Sequence, residues 1–84
     1  VKETWHKNGE KQSLQRYLDG KEVGVSREWY ENGQLQSQVP FTDGQRYGTA
    51  RYWYANGSVK ALIQYKNGQV INRQEWDQTG QRVD

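Results

Sequence analysis

The chain has no cysteine and no methionine, one proline and one histidine in 84 residues. Without cysteine there is neither a disulfide framework nor a thiolate metal site, and a single histidine cannot complete a conventional zinc set. Long apolar runs are missing too. Nothing approaches the ~18 residues of a membrane-spanning helix, and mean hydropathy is −1.25. Charge of one sign is also scarce: twelve Lys and Arg against ten Asp and Glu leave +2. Such low hydrophobicity by itself points to disorder, but the chain holds four Trp and six Tyr. An ordered fold is therefore expected, with an apolar surface that is mostly ring. One small domain is allowed, burying about 60–65% of its unfolded surface. No signal peptide is visible, and the chain starts at Val1 rather than methionine, so a fragment or a mature chain with sequence upstream is expected.

What is abundant is repetition. Trp29-Tyr30-Glu31-Asn32-Gly33-Gln34-Leu35 is preceded by Trp5-His6-Lys7-Asn8-Gly9 and followed by Trp53-Tyr54-Ala55-Asn56-Gly57 and Trp76-Asp77-Gln78-Thr79-Gly80. The tryptophans lie 24, 24 and 23 residues apart. Between them sit Asp19-Gly20, Asp43-Gly44 and Asn67-Gly68. A fixed period of this length is the mark of a repeat architecture, with units 5–28, 29–52 and 53–75 and a partial unit 76–84 within a single domain, 1–84. In the columns Tyr17, Phe41 and Tyr65 coincide, as do Lys11, Leu35 and Val59. Gly24 matches Gly48, while the third unit has Asn72 beside a one-residue deletion.

Within each unit the period is 2, that of strands, and Asn-Gly and Asp-Gly between such runs mark hairpins. Strands are expected at about 3–6, 10–17, 21–30, 34–41, 45–54, 58–65, 69–77 and 81–83. A two-residue loop Asn32-Gly33 would set Trp29 against Gln36. A three-residue loop Glu31-Asn32-Gly33, with Gly33 left-handed, sets it against Leu35. The same loop length is expected at Thr42-Asp43-Gly44, which would place Val39 opposite Tyr47. Trp29, Leu35, Val39, Phe41, Tyr47 and Trp53 would then share one face, and Leu14, Tyr30, Tyr52, Tyr54 and Leu62 the other. The short third unit sends Trp76 to the opposite face unless a bulge restores the alternation. Rings on both faces and no helix imply an all-β antiparallel meander of hairpin repeats: an elongated, twisted, largely single-layer sheet of about seven or eight strands.

The pattern carried by Trp29-Tyr30-Glu31-Asn32-Gly33-Gln34-Leu35 and Phe41-Thr42-Asp43-Gly44-Gln45-Arg46-Tyr47-Gly48 resembles MORN-variant repeats (membrane occupation and recognition nexus). The chain is also similar to bacterial proteins built of such repeats, the YwqK-family antitoxins. His6, Asp77, Asn72 and Thr79-Gly80 depart from the pattern, mostly in the outer units. The resemblance implies non-catalytic binding: a protein partner such as a toxin neutralised by an antitoxin or immunity protein, or contact with anionic phospholipid, or a scaffold segment of a larger exported protein. The location would be cytoplasmic for an antitoxin, and exported or cell-surface if a signal peptide precedes Val1.

Chemistry offers little. His6 stands in the column of Tyr30 and Tyr54 and reads as a ring substitute. Ser13, Ser26, Ser37 and Ser58 have no histidine partner for a triad, and Asp19, Asp43 and Glu31 fall in turns, where their side chains support the backbone. No enzyme, cofactor, catalytic residue or metal site is expected. The structural repeat positions are Trp5, Gly9, Gly20, Trp29, Gly33, Phe41, Gly44, Trp53, Gly57, Tyr65, Gly68 and Trp76. Charge is uneven along the chain: no acid stands between Asp43 and Glu75, where Arg46, Arg51, Lys60, Lys66 and Arg73 all are basic. Alternation sends Arg46, Lys60 and Lys66 to the face with Tyr52, Tyr54 and Leu62, and these six form the candidate partner-binding face. Tyr and Arg are favoured interface anchors, and positive charge steers an acidic partner. Weak contact with anionic lipid fits the same patch. Single-stranded nucleic acid is disfavoured by the small net charge, and unpaired edge strands allow self-association.

Overall fold

The computed structural model describes residues 2–83; Val1 and Asp84, the outer bounds of the expected domain, lie outside the described residues. Its strands are β1 (Lys2–Trp5), β2 (Lys11–Leu18), β3 (Lys21–Trp29), β4 (Leu35–Thr42), β5 (Gln45–Arg46), β6 (Gly48–Trp53), β7 (Val59–Lys66) and β8 (Gln69–Glu75). They form one open antiparallel sheet in chain order, β1-β2-β3-β4-β6-β7-β8, with β5 on β4. The extents are 41 × 37 × 11 Å. A thickness of 11 Å holds one sheet with its side chains and excludes a sandwich, whose two backbones alone stand ~10 Å apart. The radius of gyration, 13.7 Å, exceeds the ~12 Å of a compact domain of this length. The meander is therefore a single layer, and its all-β class is as expected.

Two kinds of turn build it. At the first, the Gly33 N–H donates to the Tyr30 carbonyl at 3.0 Å and the Tyr30 N–H to the Gln34 carbonyl at 2.8 Å. Gly33 has φ 86°, so Glu31-Asn32-Gly33 is the expected three-residue loop, and Trp29 stands opposite Leu35. At the second kind, Thr42 pairs directly with Gln45, and Asp43 and Gly44 have φ 50° and 80°. This corrects the expected three-residue loop at Thr42-Asp43-Gly44: the loop has two residues. A turn with both central residues left-handed matches the right-handed strand twist, and Asp tolerates that region better than most side chains. Arg46 consequently faces Phe41, and the Tyr47 N–H bonds the Pro40 carbonyl at 3.1 Å, not the level of Val39. The expected strand 45–54 is divided at this point. Past it the register slips by two, so that Ser37 faces Tyr52, and Gly48 at φ 102° takes up the bend. The expected strand at 81–83 is reduced to one bridge, Trp76 with Arg82, and the Val83 N–H to the Glu75 carbonyl at 3.0 Å.

A second correction concerns the faces. Trp29 pairs with Leu35, but its neighbour Glu28 pairs with Ser37, which leaves Gln36 as an extra residue. Gln12 and Lys60 are extra in the same way. One inserted residue reverses alternation, so the six residues expected on one face are divided. Trp29 and Leu35, and likewise Trp53 and Val59, lie on one side together with Leu14 and Leu62. Val39 and Phe41 lie on the other with Tyr52 and Tyr65. We call these the tryptophan face and the tyrosine face. Tyr30 and Tyr54, each one residue beyond its tryptophan, belong to the tyrosine face. In the third unit the register slips by one residue, between Gln64/Tyr65, where the first two units slip by two. The deletion thus comes out of the bulge, and the Trp76 N–H reaches the Lys60 carbonyl at 2.9 Å. Trp76 lines a hollow with Val59 and Leu62, on the tryptophan face; the bulge has restored the alternation.

Packing is concentrated on the tyrosine face. Among the described residues Ser26, Ser37, Val39, Ala50 and Ala61 are buried, Ala50 at 0% exposure, and all five belong there. Several large side chains meet a small one across the strands: Phe41 opposite Gly24, Val39 opposite Ser26, Tyr65 opposite Gly48, Ile63 opposite Ala50, and Tyr52 between Ser37 and Ala61. Alternating large and small residues interdigitate within one layer, each cross-strand pair adding roughly 0.2–1 kcal/mol. No large side chain among the described residues is fully buried.

Candidate binding faces

The side chains that repeat brace one unit to the next. The Tyr30 hydroxyl donates to the Trp53 carbonyl at 2.7 Å and the Tyr54 hydroxyl to the Trp76 carbonyl at 2.9 Å. His6 takes the same place with its Nε2 at 2.8 Å from the Trp29 carbonyl; a carbonyl only accepts, so this nitrogen carries the hydrogen. The lone histidine is thus a ladder residue. The asparagines do the same along the turns. The Asn32 amide donates to the Ala55 carbonyl at 2.9 Å while its Oδ1 accepts the Gln34 N–H at 2.9 Å, and Asn8 and Asn56 repeat both contacts. At the fourth turn Asp77 and Thr79 replace Tyr and Asn, and both turn inward: the Thr79 hydroxyl donates to Asp77 Oδ1 at 2.6 Å. That bond first, then the Gln81 N–H, holds the Asp77 carboxyl below its ordinary value.

Four of the six expected partner-binding residues are brought together on the tyrosine face. The Arg46 guanidinium lies 5.8 Å from the Phe41 ring centre and 5.5 Å from that of Tyr65. The Lys60 ammonium lies 5.8 Å from the Tyr54 ring; as the bulge residue, it shares the side of Ala61. Tyr52 is pushed up to about 12 by burial first, then by the hydrogen bond and charge of Tyr65. Leu62 is not with them: it pairs with Arg51, one step from the Tyr52–Ala61 pair and hence on the opposite side. Lys66, opposite Gln69, also falls on the tryptophan face. The physical reason is the inserted Lys60, which exchanges the parity of everything between it and the turn.

Sorting charge by face joins Arg51 and Lys66 to Arg16, Lys21 and Arg27, three residues that reading along the chain did not single out; all five stand on the tryptophan face. Among the described strand residues Glu3 is the one carboxylate there, already paired with Lys11 at 2.8 Å. Glu22, Glu28 and Glu75 are all on the tyrosine face. Arg27 and Arg51 occupy the same place in successive units, and that period was the available signal. Among the described residues, no group of three or more His, Cys, Asp or Glu could hold a metal, and no helix is long and apolar enough to cross a membrane.

The family model described as MORN repeat variant matches residues 22–43 and 46–67, just over half of the chain, each match holding one three-residue turn and its flanking strands. No match was found among curated proteins or solved structures.

Proposed function

The chain belongs to the MORN repeat variant family, and from that premise we propose that it is a protein-binding module that acts by occupancy, as an antitoxin or immunity protein occupies its toxin. Repeats of this family are generally non-catalytic binding modules. The observation that carries the reading is the pair of cations held over rings on the tyrosine face, Arg46 on Phe41 and Tyr65 and Lys60 on Tyr54. A cation held against a ring keeps its place at less entropic cost when a partner arrives. Tyr52 adds a half-buried hydroxyl between them. The partner presents carboxylates to these two cations, and neutral or basic groups to Glu28, which shares their face opposite Ser37.

The test is co-expression with the product of the adjacent open reading frame. The expected result is relief of that product's toxicity and a stable complex of the two chains, both lost in Arg46→Glu/Lys60→Glu. A neighbour with no toxicity, or a complex indifferent to that double substitution, overturns the reading.

A further inference from the structure

The tryptophan face carries a second arrangement that the bracing of the repeats does not use. Strand register places Leu14, Arg27, Gln38, Arg51, Leu62 and Gln74 side by side in one row across β2, β3, β4, β6, β7 and β8. Neighbouring strands are ~4.8 Å apart, so the two guanidinium stems stand about 10 Å apart with a glutamine between them. Leu62 is the next step beyond Arg51. It forms, with Val59, Trp76 and Gly80, an apolar hollow of about 340 Å³. An apolar recess therefore opens one strand away from Arg51 and three strands from Arg27.

We propose that this row docks an acidic segment of a partner protein, with one large apolar side chain of the partner in the Val59/Leu62/Trp76 hollow and its carboxylates on Arg51 and Arg27. Three features select that occupant. Charge is segregated: the face has a single strand carboxylate, and Lys11 neutralises it, so an acidic partner meets no repulsion and is steered in. Arg rather than Lys occupies both row positions, and its planar fork binds carboxylates through two parallel hydrogen bonds. The hollow is lined by aliphatic and aromatic surface beside a cation, the combination found where an interface anchor is buried. A nucleic-acid strand would supply charge but no aliphatic anchor, and a lipid headgroup surface would engage the cations without filling a recess. The surface lies across the sheet from Arg46 and Lys60, so it is independent of the tyrosine-face reading.

The probes are a synthetic peptide with one leucine flanked on both sides by glutamates, the same peptide with the leucine replaced by serine, oligothymidylate, and phosphatidylserine vesicles, each titrated against the full chain at low and high salt. The leucine peptide is expected to bind, to weaken about tenfold or more in Arg27→Glu/Arg51→Glu, to weaken with salt, and to outbind the serine peptide. Lys2→Glu/Lys7→Glu, which makes the same charge change at exposed positions outside either cation set, is expected to leave peptide binding within about twofold of wild type. Circular dichroism melts of both double variants confirm that each is folded; a single Arg51→Gln replaces the double variant if that one melts early. Equal binding of the two peptides, binding indifferent to Arg27 and Arg51, or preference for oligothymidylate or vesicles each overturns the proposal.

Discussion

Tyr30→Phe isolates the bond that joins one repeat to the next. The substitution keeps the ring and removes only the hydroxyl, which donates to the Trp53 carbonyl at 2.7 Å in a partly buried setting. Losing a hydrogen bond of this kind costs about 1 kcal/mol net. For a domain of this length that lowers the melting temperature by about 5 °C. Tyr54→Phe removes the equivalent bond to the Trp76 carbonyl, 2.9 Å long, and should cost the same. The two bonds brace different pairs of units, so the double variant should lose about 10 °C, with the increments adding. Tyr17→Phe is the control: its hydroxyl donates to the exposed Gln15 side chain at 3.1 Å, and its removal should shift the melt by no more than about 1 °C. Calorimetry, or circular dichroism in the aromatic region, reads all four. If Tyr30→Phe melts with Tyr17→Phe, the cross-unit bond contributes nothing and the ladder is held by packing alone.

The tryptophans should rank by exposure: Trp53→Ala is expected to cost about 2–4 kcal/mol, below the full buried-ring penalty because the ring is half-buried, whereas Trp5, 57% exposed, should lose about 1 kcal/mol or less; urea denaturation measures both, and equal losses would refute the ranking. Stability should also fall at high pH. Tyr52 is pushed up from 10.0 to about 12, by burial first and then by Tyr65, so the fold holds this proton more tightly than the unfolded chain does. Its contribution is fully present below pH 10.0 and is lost as pH rises through about 12. Tyr52→Phe should flatten that part of the pH–stability curve; an unchanged slope would show that other phenols control it.

Much of the architecture was legible because it rests on local rules. Trp29 opposite Leu35 follows from the chemistry of Glu31-Asn32-Gly33, which needs a left-handed residue at its third position. The strand order follows from hairpins too short to cross. The place of His6 as a ring substitute was visible from its column, whereas its bond to the Trp29 carbonyl, matching that of Tyr30 to Trp53, is seen only in the structure. The candidate site was legible only in part. Arg46, Tyr52, Tyr54 and Lys60 do share a face, but counting in twos runs through a bulge at Lys60, and Leu62 and Lys66 lie on the other side.

The sequence by itself determined the period, the two turn sites in each unit, the strand directions and the absence of a second layer, because each depends on residues within a few positions of one another. It did not determine which residues face the same way. Gln36 and Lys60 look like ordinary strand residues, and only pairing with the neighbouring strand reveals them as insertions that reverse the alternation. The same pairing sorts the charges of the chain into one face with Arg27 and Arg51 in a row and another with Glu22, Glu28 and Glu75. Register is a property of two strands at once, so the faces and their charge were decided in the tertiary structure.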